Sequence, residues 1–212
     1  MSAAFLLVSY LLGSTPTSYL IGKFLHGIDL REHGSGNLGA TNTFRVLGMR
    51  SALPVVLVDV GKGFVPAWLF PRLLGATFGW SLAFGSAAIV GHMFSVWVGF
   101  KGGKGMATSA GVFLGLAPWA VLIGLGVWCA LTFGTGYVSV GSIATAVVLP
   151  VLVALTPHEG GRGLVWFSLG LAAVVVWAHR GNVRRLMRGE ENRFGRRAGP
   201  SKEAQTGTES RP

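Results

Sequence analysis

Apolar runs at about 3–22, 52–70, 80–100, 106–133, 138–155 and 163–178 dominate the chain, and the polar gaps between them are short. Each run is near or above the ~20 residues an apolar helix needs to span a bilayer. Only 12% of residues are charged, about half the soluble norm of ~25%, so the expected solvent is lipid. The fold class that follows is all-α, a polytopic membrane helix bundle. The 33 glycines suit it, because small residues let transmembrane helices approach closely where lipid supplies no hydrophobic drive between them. The first run carries Ser14-Thr15-Pro16-Thr17 and lacks both an early basic residue and an A-x-A cleavage site, so it reads as a retained span. The single cysteine, Cys129, excludes an intramolecular disulfide.

Basic residues set the orientation. Lys23, Arg31, Arg45 and Arg50 mark the first long loop, Lys101 and Lys104 the second, and nine basic residues follow His179. The positive-inside rule makes all three regions cytoplasmic, with the amino terminus outside. An even number of crossings must then separate Lys104 from His179, although three apolar runs lie between them. Dividing the 28-residue run at Ala117-Pro118 into a hairpin satisfies this and gives about seven transmembrane helices, with the carboxyl terminus cytoplasmic. Five crossings with a re-entrant segment is the alternative. The membrane domain covers residues 1–195, and residues 196–212 read as a disordered cytoplasmic tail on composition.

Chemistry concentrates in the cytoplasmic gaps. The loop Gly34 to Arg45 is dense in glycine and in small hydrogen-bonding side chains, so its amides could cradle an oxyanion while Ser35 and Asn42 donate and Arg45 clamps a phosphate. An ordinary interhelical turn would have the same composition. The second loop sets Lys101-Gly102-Gly103-Lys104-Gly105 before a helix, where free amides and the helix dipole favour an anion. It is no Walker A loop, since neither Lys104 nor Lys62 is followed by Ser or Thr. Topological anchoring explains its lysines equally well. Asp59 and Lys62 share a face of one span at i, i+3 and form a plausible pair, acting with His92 at the site rim or behind it. Ser142 stands at another cytoplasmic boundary, while His179 and Asn182 share a helical face with Arg185 one turn on.

The blocks GSGNLGATN with Arg45, DVGKG, GHMFSVWVGFKGGKGMAT, GYVSVGS and the H-x-x-N-V-x-R-L-x-x-G-x-E block occur in that order over about residues 3–195. In this the chain resembles the bacterial acyl-phosphate:glycerol-3-phosphate acyltransferase family, with Val183 in place of a commoner Ile. The resemblance implies transfer of a fatty acyl group from acyl phosphate to the 1-hydroxyl of glycerol 3-phosphate at the cytoplasmic face of the bacterial cell (inner) membrane, giving lysophosphatidate and phosphate. On this reading Ser35, Arg45, Lys104, Ser142 and His179 are the catalytic candidates. Gly36, Asn37, Asn42, Gly102, Gly103, Gly105, Thr108, Asn182, Arg185 and Glu191 are the substrate-binding ones. No metal, cofactor, nucleic acid or obligatory protein partner is implied; membrane lipid is.

An acyl phosphate is already activated, so alignment and charge stabilisation suffice and no acyl-enzyme is required. The His-x4-Asp signature of other glycerolipid acyltransferases is absent, because Trp97 follows His92 and Arg184 follows His179 at the acid's place. A transporter for an anionic solute would also bury Asp59 and Lys62, yet no paired half-repeats are visible. A membrane scaffold would explain the small residues but not the Gly-Lys loops.

Overall fold

The computed structural model describes residues 1–194; the expectation for 196–212 lies outside them. Within them the chain forms helices α1 (Ser2–Ser14), α2 (Thr17–Leu25), α3 (Ala40–Leu47), α4 (Met49–Leu73), α5 (Phe78–Met93), α6 (Met106–Leu116), α7 (Pro118–Thr135), α8 (Val138–Leu155), α9 (Gly161–Ala178) and α10 (Arg180–Met187). The helices α4, α7, α8 and α9, and α5 together with the turn that follows it (Phe78–Val98), are long and apolar enough to cross a membrane, and the bent pair α1 and α2 makes a sixth unit. Their outward faces carry Leu57, Leu122, Leu125, Leu155 and Trp166, all exposed, as a lipid-facing surface requires.

The long run does break where its proline predicts, at Ala117, whose φ of −149° and ψ of 69° leave the helical region. The first half, α6, has only 11 residues. At 1.5 Å per residue that is about half of the ~30 Å hydrocarbon thickness, so α6 is a short arm of the expected hairpin rather than a full-length span. Lys104 at the start of α6 and Ser139 at the start of α8 nevertheless line one cavity. The α6–α7 hairpin therefore leaves that end of the bundle and returns to it.

Buried charge braces the bend in the first unit. Pro16 breaks the ladder and the axes of α1 and α2 differ by 42°. The break takes the carbonyls of Ser14 and Thr15 out of the regular helical ladder; Ser95 Oγ donates to the first, and the second accepts from Lys62 Nζ at 2.8 Å and from the Thr17 amide at 3.1 Å. Lys62 also pairs with Asp59 at 2.7 Å, and Thr17 Oγ1 donates to Asp59 at 3.4 Å. The i, i+3 pair thus forms as the spacing predicts, and its lysine serves the backbone as much as the aspartate.

Close backbone approach sets the interhelical distances. A Cβ on Gly63 would overlap the carbonyl of Thr108, and one on Gly111 that of Val60, so α4 and α6 pack main chain to main chain. Gly13 and Gly91 play the same part between α1 and α5. Around these contacts lies a core that includes Val112, Phe113, Val153, Leu164 and Val175. A second, small cluster of Leu30, Leu38 and Val98 pins the loop between α2 and α3 to the bundle.

Gly63→Val should push α4 off α6 and cost about 1–3 kcal/mol or more by overpacking, read as loss of the monodisperse peak or a large fall in melting temperature in detergent. Gly61→Ala meets nothing within 4 Å, so it should leave the melting temperature unchanged or raise it.

Candidate active site

The loop after α2 is shaped by one buried side chain. Asn42 accepts from the Ser35 amide at 2.8 Å and donates to the carbonyls of Leu30 at 3.1 Å and His33 at 3.0 Å. Gly34 and Gly36 take φ of 62° and 70° to make the turn around it. The amide is fully used, so Asn42 is the staple of the loop rather than the ligand donor that composition suggested. Its fold delivers Ser35 and Asn37 to the cavity beside α3, where Thr41 and Arg45 stand one turn apart.

The second loop folds back on the end of α5. The amides of Gly102 and Gly103 donate to the carbonyls of Met93 and His92 at 3.1 and 3.0 Å. A Cβ on Gly102 would strike the His92 carbonyl, and one on Gly103 the His92 ring and the Leu38 carbonyl. These two glycines therefore exist for close approach and do not line the main cavity. Gly105, with φ of 81°, caps α6 and sends Lys104 inward.

The third wall comes from α8 and α10. Glu191 accepts from Ser139 Oγ at 2.9 Å and Asn182 Nδ2 at 2.6 Å on one oxygen, and from Arg185 Nε at 2.8 Å on the other. Asn182 passes the order on, since its Oδ1 accepts from Lys104 Nζ. Asn182 and Glu191 thus hold cations in place. His179 donates from Nδ1 to the Val175 carbonyl at 2.8 Å, which leaves Nε2 with the free lone pair. Ser142 receives a hydrogen bond from Trp128 Nε1 at 3.2 Å, which leaves its own proton available.

These walls enclose a cavity of about 130 Å³. Ser35, Asn37, Asn42, Arg45, Lys104, Gly105, Ser142, His179, Asn182, Arg185 and Glu191 all line it, with Asp59 and His92 among its lining as well. Gly36, Thr108 and Lys62 do not; Gly36 only turns the loop, and Thr108 is fully buried against α4. Sequence reasoning missed Thr41, Ser139 and Asn192. Thr41 lies at i−4 to Arg45 and Ser139 at i−3 to Ser142, so helical spacing could have found both.

Electrostatically the cavity holds three cations, Arg45, Lys104 and Arg185, against one carboxylate of its own, Glu191, because Asp59 is spent on Lys62. Burial lowers Lys104 to about 8, with Arg185 pushing the same way and Glu191 opposing. Burial likewise lowers Arg45. An anion in this cavity relieves both. His179 is held near 4, chiefly by burial and then by Lys104, and is neutral at physiological pH.

Apolar helices of spanning length, with a cationic cleft at one end built from three separated blocks, outline a membrane-embedded protein with an anion-binding cavity. The chain belongs to the glycerol-3-phosphate acyltransferase family, whose model matches residues 3–189. It is 41% identical to the glycerol-3-phosphate acyltransferase of Chlorobaculum parvum, over 92% of this chain and 98% of that one. It is 44% identical to that of Geobacter sulfurreducens, over 88% and 94%. Among solved structures it is similar to PlsY (YgiH), an integral membrane glycerol 3-phosphate acyltransferase, in its glycerol 3-phosphate form. That likeness has a TM-score of 0.83 and 36% identity over 92% of this chain and 96% of that one. The lysophosphatidic acid form gives 0.81 and 35%, over 92% and 95%.

Asn42→Ala removes three hydrogen bonds from one loop, each worth about 1 kcal/mol or more where the partner is buried. Amide exchange at 30–36 should accelerate by an order of magnitude or more while exchange in α4 and α5 stays unchanged. Equal exchange in the loop would contradict the staple.

Proposed function

We propose that the protein transfers a fatty acyl group from acyl phosphate to the 1-hydroxyl of glycerol 3-phosphate, giving lysophosphatidate and phosphate. The observation that carries this reading is the convergence of Arg45, Lys104 and Arg185, from three distant parts of the chain, on one cavity with a single carboxylate of its own. Both substrates bring phosphate, and the crystal structures of the similar enzyme are of its glycerol 3-phosphate and lysophosphatidic acid forms.

The chemistry asks for little beyond placement. The hydroxyl oxygen attacks the carbonyl carbon, the bond from that carbon to the phosphate oxygen breaks, and phosphate departs. A histidine held near 4 is too weak a base to keep the hydroxyl proton at neutral pH. The departing phosphate is the better acceptor, because the oxygen that loses its bond to the carbonyl carbon gains a full negative charge as the bond breaks, so the proton leaves with it. His179 Nε2 and Ser142 then orient the hydroxyl and the carbonyl, while Lys104 and Arg45 stabilise the charge that develops on the leaving group. An apolar groove of about 490 Å³ along α1, α2 and Trp97 suits the acyl chain. A small polar cleft connects them, sharing Thr15 and Pro16 with the groove and Asp59 and His92 with the cavity.

The positive-inside rule applied to the basic loops supports a cytoplasmic position for this cavity in a bacterial cell membrane, with the amino terminus outside. The return of the α6–α7 hairpin favours seven crossings, α6 being a shortened one.

Purified in detergent with no gradient, the protein should make lysophosphatidate from acyl phosphate and glycerol 3-phosphate, and none from acyl coenzyme A. Lys104→Ala or Arg45→Ala should lower kcat/KM by about 100-fold or more, as expected for a charge-assisted phosphate contact in a dry site. Equal use of acyl coenzyme A, or solute flux in vesicles without chemical change, would contradict the proposal.

A further inference from the structure

Beyond the residues that the family model matches, which end at 189, residues 190–194 stay at the site. Gly189 takes φ of 70°, and the amides of Gly189 and Glu190 donate to the carbonyls of Leu186 and Arg185 at 3.1 and 2.8 Å. This is a Schellman end to α10, and it turns the chain back across the cavity. Glu191 and Asn192 line the cavity on the way. The Phe194 amide then donates to the Gly136 carbonyl at 2.7 Å. Its ring stacks on Phe44, with centroids 5.0 Å apart and planes at 16°, and meets the edge of Phe133 at 5.7 Å and 79°.

Phe44 immediately precedes Arg45 on α3. Arg45 itself makes no side-chain hydrogen bond among the described residues, whereas Lys104 and Arg185 are both held by the Glu191 and Asn182 network. The stack with Phe194 is then an apolar link between the wall that carries Arg45 and the wall that carries the other two cations. Phe133 ties the same ring to the end of α7, and the Gly136 carbonyl ties the Phe194 main chain to the α7–α8 turn, beyond which Ser139 reaches Glu191.

We propose that Phe194 is a positioning residue, latching the 189–194 strap across the cavity and setting the spacing between Arg45 and the Lys104–Arg185 pair; the kinetic part rests on the reaction assigned above. Glycerol 3-phosphate depends on that spacing more than acyl phosphate does. It has only polar contacts to hold it, while the acyl donor is also anchored by its chain.

The test compares Phe194→Ala, Phe44→Ala, the double variant and Phe194→Tyr with the wild type. Loss of one aromatic stack should raise KM for glycerol 3-phosphate roughly 3- to 10-fold, with kcat and KM for acyl phosphate within about twofold by the differential-binding argument. The double variant should be no worse than the worse single one, since both remove the same contact. Phe194→Tyr, which keeps the stack, should restore KM. A wild-type KM in Phe194→Ala, or effects of the two alanines that multiply, overturns the latch. A second readout needs no activity: Phe44→Ala should speed amide exchange in the peptide containing Phe194, and unchanged exchange there overturns the latch too. If the wild type makes no lysophosphatidate while this exchange still responds, the assigned reaction fails and the latch stands.

Discussion

Positive charge at the edge of a low-dielectric bundle is stable only where its hydrogen bonds are met, and here one carboxylate meets most of them. Glu191 binds Arg185 directly and Lys104 through Asn182, and it takes a third bond from Ser139. Removing that carboxylate would leave two cations repelling each other across the cavity, and no other acid of the cavity is free to replace it. The arrangement is deliberately unbalanced, because Arg45 adds a third cation with no partner among the described residues. On the proposed function, a substrate phosphate completes it.

The same rule operates deeper in the bundle with the opposite outcome. Asp59 and Lys62 are balanced against each other and against the carbonyl that Pro16 frees, so they hold the bend between α1 and α2. That bend shapes the apolar groove beside the polar cleft. A buried pair that props a broken helix and a cationic cavity that awaits an anion are separate uses of intramembrane charge, joined here by the side chains of Asp59 and His92.

What the sequence made legible was whatever depends on near neighbours in the chain. Apolar runs announced the spans, Pro118 announced the break, and i, i+3 spacing announced the Asp59–Lys62 pair and the shared face of His179 and Asn182. Roles set by distant neighbours stayed hidden. Nothing local distinguishes Asn42 as a staple from Asn42 as a ligand donor, because its partners are carbonyls 9 and 12 residues away. Gly102 and Gly103 look like an anion loop until His92 is seen against them. The division of the long run, by contrast, was legible because its cause is local: Pro118 ends α6 at Leu116 and leaves it 11 residues.

Direct transfer, with both substrates held together among the cations, leaves no acyl group resting on the protein. Initial rates measured over a grid of acyl phosphate and glycerol 3-phosphate concentrations decide it. Intersecting double-reciprocal lines, with no acyl adduct on the intact protein after incubation with acyl phosphate alone, are the predicted result. Parallel lines and one stoichiometric acyl group, released as lysophosphatidate on addition of glycerol 3-phosphate, would contradict it.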